Sequence, residues 1–202
     1  MIKTFWPFLF VAVLMYPHQD STYIAKISKY RQELNEEYLD PEKSPLSKDA
    51  REDFKGHEFF PIKPDYAVVA QVERMPESRP FQMAMSTGGT QLYKRLAILR
   101  FELNGKEQEL EAYIRFQAFG LSTLKTPVLI PVIDKTSGIK TYDGGRYLTF
   151  DSIPEGDQWV IDFNKLYNPY CAYSSQIACP LVPQANHLKI AIEAGIKGPV
   201  NY

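Results

Sequence analysis

Between Ser21 and Leu39 the chain places Ile24, Ile27, Tyr30, Leu34 and Tyr38 at steps of three and four. That spacing draws one apolar stripe along a 3.6-residue period and predicts an amphipathic helix capped by Asp20 or Ser21. Asp40-Pro41 ends it, because a residue that precedes proline is pushed out of the helical region. The charged stretch from Ser47 to Lys55 is irregular, with room for one helical turn. Phe59-Phe60-Pro61 then leads into Tyr66 to Val72, where Val68, Ala70 and Val72 alternate with Val69 and Gln71, the period of a strand.

A short strand from Phe81 to Met85 runs into the turn Ser86-Thr87-Gly88-Gly89-Thr90. Leu96 to Leu103 and Lys106 to Phe116 flank Asn104-Gly105, a pair suited to a two-residue type I′ hairpin because both turn positions need positive φ. Counting outward sets Leu99 opposite Leu110 and Ala97 opposite Ala112, so turn and pattern agree on one register. Val128 to Ile133 is an apolar run broken by Pro131, which predicts a strand near an edge or a bulge. A turn-rich loop covers Asp134 to Gly145, and Leu148 and Phe150 then alternate with Tyr147 and Thr149. If Pro154 to Asp157 forms a hairpin loop, Phe150 faces Ile161 and Leu148 faces Phe163, which gives a core face of Leu148, Phe150, Trp159, Ile161 and Phe163.

About seven strands with short turns, one helix at the start and no βαβ alternation predict a mainly β fold. The expected form is a single antiparallel sheet curled into a barrel or sandwich, one domain over residues 21–202. After Phe163 the pattern becomes irregular. Asn168-Pro169, Cys179-Pro180 and Pro183 forbid a central strand, yet Tyr167, Tyr170, Tyr173, Ile177 and Leu181 are too apolar for a free tail. Such a segment must wrap onto something.

The net charge of −1 argues against a general nucleic-acid or membrane-surface binder. Residues 1–20 carry Lys3, then an apolar run from Phe5 to Tyr16, then polar residues, the form of a signal peptide or short anchor. That run falls short of the roughly twenty residues of a spanning helix, so no stable membrane insertion is expected beyond it. The chain is accordingly expected to be exported, to the periplasm or beyond the cell. In an oxidising compartment Cys171 and Cys179, the two cysteines of the chain, read as a disulfide; two free thiols are the alternative.

The common catalytic and cofactor motifs are missing: no G-x-S-x-G, no H-E-x-x-H, no phosphate-binding glycine loop and no Cys-x-x-Cys. Cys171, Cys179 and His187 lie eight and eight apart, a poor match to structural zinc spacings, so neither metal nor cofactor is expected. His57 sits among charges and His187 reads as a surface histidine. The strand reading instead gathers Asp134, Tyr142, Arg146, Asp162, Asn164, Tyr167 and Asn168 at one end of the sheet. Arg146 shares the parity of Leu148 and Phe150, so it points to the core side and needs an anion.

Three functions follow from that set. A pocket around Arg146 would bind a small carboxylate or phosphate. A hydrolase-like enzyme would use Asp162 as general base or Cys171 as nucleophile. A structural envelope protein would use the network only as a clasp, with Asp134 or Asp162 supplying the anion.

At these residues the chain resembles a known family. Asp134 to Leu148 (DKTSGIKTYDGGRYL), Asp162 to Tyr173 (DFNKLYNPYCAY) and Cys179 to Leu188 (CPLVPQANHL), with Ser44-Pro45-Leu46 and Phe59-Phe60-Pro61, resemble the bacterial and archaeal domain of unknown function 1684 from about residue 40 onward. The resemblance implies no activity. It implies that Asp134, Thr136, Gly138, Thr141, Tyr142, Gly145, Arg146, Asp162, Asn164, Asn168, Cys171, Cys179 and Asn186 match the family pattern. It also keeps a thiol pair open at Cys171 and Cys179, and Ala194-Gly195-Ile196 stands where the family closes with Ala-Gly-Glu.

Overall fold

The computed structural model describes residues 17–116 and 127–198, with side chains from residue 21. Helix α1 spans Pro17–Leu39, so it begins inside the stretch read as a leader, and residues 1–16 lie outside the described residues. Its inner face buries Ile27 and Tyr38, whereas Ile24 stays exposed. A six-residue helix α2, Lys48–Asp53, is capped by Ser47, whose Oγ accepts the Ala50 N–H at 3.2 Å. No helix among the described residues is long and apolar enough to cross a membrane.

Seven strands follow: β1 Ala67–Arg74, β2 Phe81–Ala84, β3 Thr90–Leu103, β4 Lys106–Arg115, β5 Val128–Val132, β6 Arg146–Phe150 and β7 Gln158–Asp162. They form one antiparallel sheet in the order β6-β5-β4-β3-β1-β7, curled into a half-barrel. The long β3 makes this possible. Its first half pairs with β2 and its second half with β1, and the register shifts between Arg95 and Ala97, a bulge that bends the strand. Inside the curl, Leu99, Leu110, Ile130, Trp159, Ile161 and Phe163 form the main core.

The β3–β4 turn matches its expectation. Leu99 faces Leu110 and Ala97 faces Ala112, with Asn104 at φ 54° and Gly105 at φ 69°. A β-branched residue resists that conformation, so Gly105→Val should cost about 1 kcal/mol or more. The melting temperature reads this directly, and an unchanged value would contradict the turn assignment.

One strand assignment changes. The hairpin expected between β6 and β7 does not form: β6 pairs with β5, β7 pairs with β1, and the two strands are opposite edges of the sheet. Alternation settles which face a strand buries and is silent on its neighbour, and the five expected core residues do share one interior. The curl brings both edges together through side chains instead of a ladder, with the Phe150 and Trp159 rings 5.7 Å apart.

Pro131 lies within β5, the strand next to the edge strand β6, so it is near an edge as expected. Strand β4 meets β5 only at Tyr113–Leu129 and Ile114–Val128 and then diverges. Asn186 fills the gap. Its amide accepts the Glu111 N–H at 2.8 Å and donates to the carbonyls of Glu111 and Pro131 at 2.9 and 2.7 Å. Pro131 therefore sits where no ladder donor is required.

Candidate functional site

The polar residues singled out from the sequence separate into distinct settings. Arg146 opens β6 facing inward and is fully buried, and its anion is Asp134, with Nη2 2.7 Å from Oδ2. The remaining guanidinium contacts are backbone carbonyls: Nη1 donates to Ala194 and Ile196 at 2.6 and 3.0 Å, and Nη2 to Ile192 at 2.9 Å. Asp134 in turn accepts the N–H groups of Thr136 and Ile192 at 2.8 and 3.1 Å. Burial pushes the guanidinium below its ordinary value, and Asp134 opposes that shift. The pair straps the C-terminal segment to the sheet.

Gly195 shows how tight that strap is. It holds φ +74°, and a Cβ there would lie 2.7 Å from the Leu166 carbonyl oxygen and 2.8 Å from that of Phe163. A glycine is required because both the conformation and the space exclude a side chain.

Asp162 and Asn164 do not join Arg146. Asp162 ends β7 and caps the following 3-10 turn, accepting from the Asn164 N–H at 3.1 Å and from the Tyr23 hydroxyl at 2.9 Å. The buried Asn164 accepts the Lys63 N–H at 3.0 Å and donates to the Lys63 carbonyl at 2.8 Å. Burial, followed by the Asp162 carboxylate, pushes the Tyr23 hydroxyl up, so it remains a donor. This network fastens α1. Asn168 is buried under the C-terminal segment and donates to the Tyr173 hydroxyl and the Lys197 carbonyl, both at 3.0 Å.

Of the remaining expected residues, Tyr167 borders a cleft, whereas Tyr142 lies beside Cys171 and outside the cleft lining. About 580 Å³ lies open between α1, the outer face of β6 and the irregular segment after β7. From α1 it receives Tyr30, Glu33, Leu34 and Glu37, a face that recurs at helical spacing. From the opposite wall come Tyr147, Tyr167 and Tyr170, with Ile177 and Cys179 at one end. The lining holds two carboxylates and no lysine or arginine among the described residues. Glu37 accepts a hydrogen bond from the Tyr170 hydroxyl, and the Lys165 ammonium stands 5.5 Å from the Tyr30 ring centroid. Burial pushes the hydroxyls of Tyr30, Tyr147 and Tyr170 up. These phenols therefore serve as neutral rings and donors, not as bases.

The cleft could have been foreshadowed by the Tyr30, Glu33, Glu37 spacing, which places a tyrosine and two acids on one helix face. The sequence reading missed it, along with Tyr147 and Tyr170, because nothing local says what α1 faces.

Cys171 and Cys179 are free thiols here, side by side: the Cys171 N–H donates to the Cys179 Sγ at 3.2 Å. A hydrogen bond from the Cys179 thiol, then those from the Ser86 and Tyr142 hydroxyls, bring the Cys171 thiol down to about 6 against the opposing effect of burial. Its bond to Cys171, then burial, pushes the Cys179 thiol up. Tyr142, half-buried, is raised to about 12 by burial first and by Cys171 next. Neither histidine is where charge alone suggested: His187 is half-buried near the Val182 carbonyl, and His57 lies inside an aromatic cluster.

An antiparallel half-barrel whose C-terminal strap is held by a buried arginine, with a tyrosine and carboxylate cleft against its N-terminal helix, defines the class of this protein. The family model described as protein of unknown function (DUF1684) matches residues 52–197, and the chain belongs to that family. It is also similar to the solution NMR structure of an uncharacterized protein of Haloarcula marismortui, at 31% identity and a TM-score of 0.68, covering 90% of this chain and 97% of that one. No curated protein matches the chain.

Proposed function

We propose that the protein binds a small organic cation in the cleft between α1 and β6. The composition of the lining carries this reading: Glu33 and Glu37 supply negative charge, four tyrosines supply ring faces, and the described lining contains no basic residue. A cation against an aromatic face gains roughly 0.5–2 kcal/mol, more as water is excluded. Glu37 sits at the α1 wall with its carboxylate oriented by Tyr170, so the charge is fixed before a ligand arrives. An anion at Arg146 is not supported, because both Nη groups of that fully buried guanidinium are spent on Asp134 and three carbonyls and only a buried Nε is left.

Titration calorimetry with tetramethylammonium, a linear polyamine and phenethylamine, each against a carboxylate of matched shape, tests the reading. At least one amine should bind saturably where its carboxylate does not, and Glu37→Gln should weaken it about tenfold, a loss of ~1.4 kcal/mol. Equal binding of the carboxylates, or no saturable amine, would overturn it.

We further propose that the chain is exported and that Cys171 and Cys179 become a disulfide there, supported by the apolar pattern of residues 1–20 and by the adjacent thiols. Protein recovered from its host should begin near residue 20 by intact mass; a mature chain that retains Met1 and sits in the cytoplasm would contradict export.

A further inference from the structure

Three features of the segment after β7 go beyond anchoring. Cys171 is half-exposed while Cys179 is buried. The two sulfurs are within hydrogen-bonding reach of one another, with the Cys171 N–H aimed at the Cys179 Sγ. The Ser86 and Tyr142 hydroxyls lie beside the Cys171 sulfur from other parts of the fold, and Ser86 Oγ accepts the Cys179 N–H at 3.0 Å while donating to the Ile177 carbonyl at 3.3 Å.

We propose that Cys171 and Cys179 form an exchange site for small-molecule disulfides, with Cys171 as the entering thiol and Cys179 as the resolving one. The donors around Cys171 stabilise its thiolate near neutral pH, while Cys179 keeps its proton by donating it to that thiolate. The Cys171 thiolate attacks one sulfur of a disulfide R–S–S–R; the S–S bond breaks, one thiolate leaves, and a mixed disulfide joins Cys171 to R–S. With its charge gone, Cys171 no longer holds the Cys179 proton, which passes to the departing thiolate. Cys179 then attacks the Cys171 sulfur, forms the internal disulfide and expels the second thiolate, which takes a proton from water. Two electrons have moved from the protein to the disulfide, and two small thiols result. The direction follows from exposure: Cys171 is the more open of the two thiols, whereas Cys179 is 7% exposed and shows only at one end of the cleft. This inference rests on the arrangement of the thiols and not on what the cleft binds.

Brief treatment of the native, reduced full chain with iodoacetamide, followed by peptide mapping, should modify Cys171 at least about tenfold faster than Cys179, since the thiolate is the nucleophile. The rate should rise with pH around a midpoint near 6. Oxidised glutathione should convert the wild-type chain to the internal disulfide. With Cys179→Ser the reaction should stop at one glutathione on Cys171, and Cys171→Ser should stay unmodified. Comparable alkylation of both thiols overturns the proposal, as does a wild-type chain that remains dithiol or accumulates only the mixed disulfide. The wild-type measurements need no substitution, so they decide even where a variant fails to fold, and their failure leaves the calorimetric test of amine binding untouched.

Discussion

Arg146→Ala should destabilise the protein by about 3–5 kcal/mol, the cost of leaving a buried carboxylate without its partner. The change strands Asp134, which is 4% exposed, and removes the donors on the carbonyls of Ile192, Ala194 and Ile196. Asp134 would keep only the neutral N–H donors of Thr136 and Ile192, and the three carbonyls would lose their guanidinium donors. Urea denaturation of the variant measures the loss. Arg146→Met with Asp134→Leu should be less damaging than Arg146→Ala alone, because removing both charges is often near neutral when shape is kept. An arginine reserved for a ligand would behave differently, with stability nearly unchanged in the single variant, and that result would remove the clasp.

What could be read from the chain divides by distance along it. The β3–β4 hairpin needs only Asn104-Gly105 and the apolar residues on either side, so turn chemistry and pattern converge and the register follows. The inward face of Arg146 also follows from parity, and so does its need for an anion. Which anion is another matter: Asp134 and Asp162 were equally available by pattern, and the fold sends Asp162 to Tyr23 of α1. The β6–β7 pairing failed for the same reason, because two strands of equal parity and a plausible turn do not exclude partners such as β5 and β1. Asn186 was legible only as a residue of the family pattern. Its strand-like insertion depends on Pro131 and Glu111, 55 and 75 positions away, and on the divergence of β4 from β5.

The cleft is the extreme case. Tyr170 and Glu37 are 133 positions apart and meet only because α1 and the proline-rich segment lie on the same outer face of the sheet. The segment was expected to wrap onto something, since Tyr167, Tyr170 and Ile177 are too apolar for a free tail. The covering is incomplete, and the residue types at the opening, acids and phenols, are what the proposed binding of an organic cation rests on.

Stability should fall by about 3 kcal/mol as pH drops from 7 to 4 through His57 alone, the product of its displacement and about 1.4 kcal/mol per pH unit. Burial lowers this histidine from 6.5 to about 4. The ring packs edge-on to Tyr38, with centroids 4.3 Å apart, and lies near Phe54 and Tyr173. Its Nδ1 is 2.7 Å from the Asn35 Oδ1, which also accepts the His57 backbone N–H, so Nδ1 carries the proton of the neutral ring. Nε2 is buried with no hydrogen-bond partner among the described residues, and a second proton would have to sit there. Between pH 6.5 and 4 the unfolded chain therefore binds a proton that the native state refuses. The contribution is intact above 6.5 and is lost as pH falls toward 4. His57→Met keeps the backbone bond to Asn35 and the packing volume, so the stability difference between wild type and variant should shift in favour of the variant by about 3 kcal/mol across that interval. Denaturation curves at pH 7 and pH 4 measure it. A difference that does not change with pH would mean that His57 titrates normally and that the aromatic cluster is open to water.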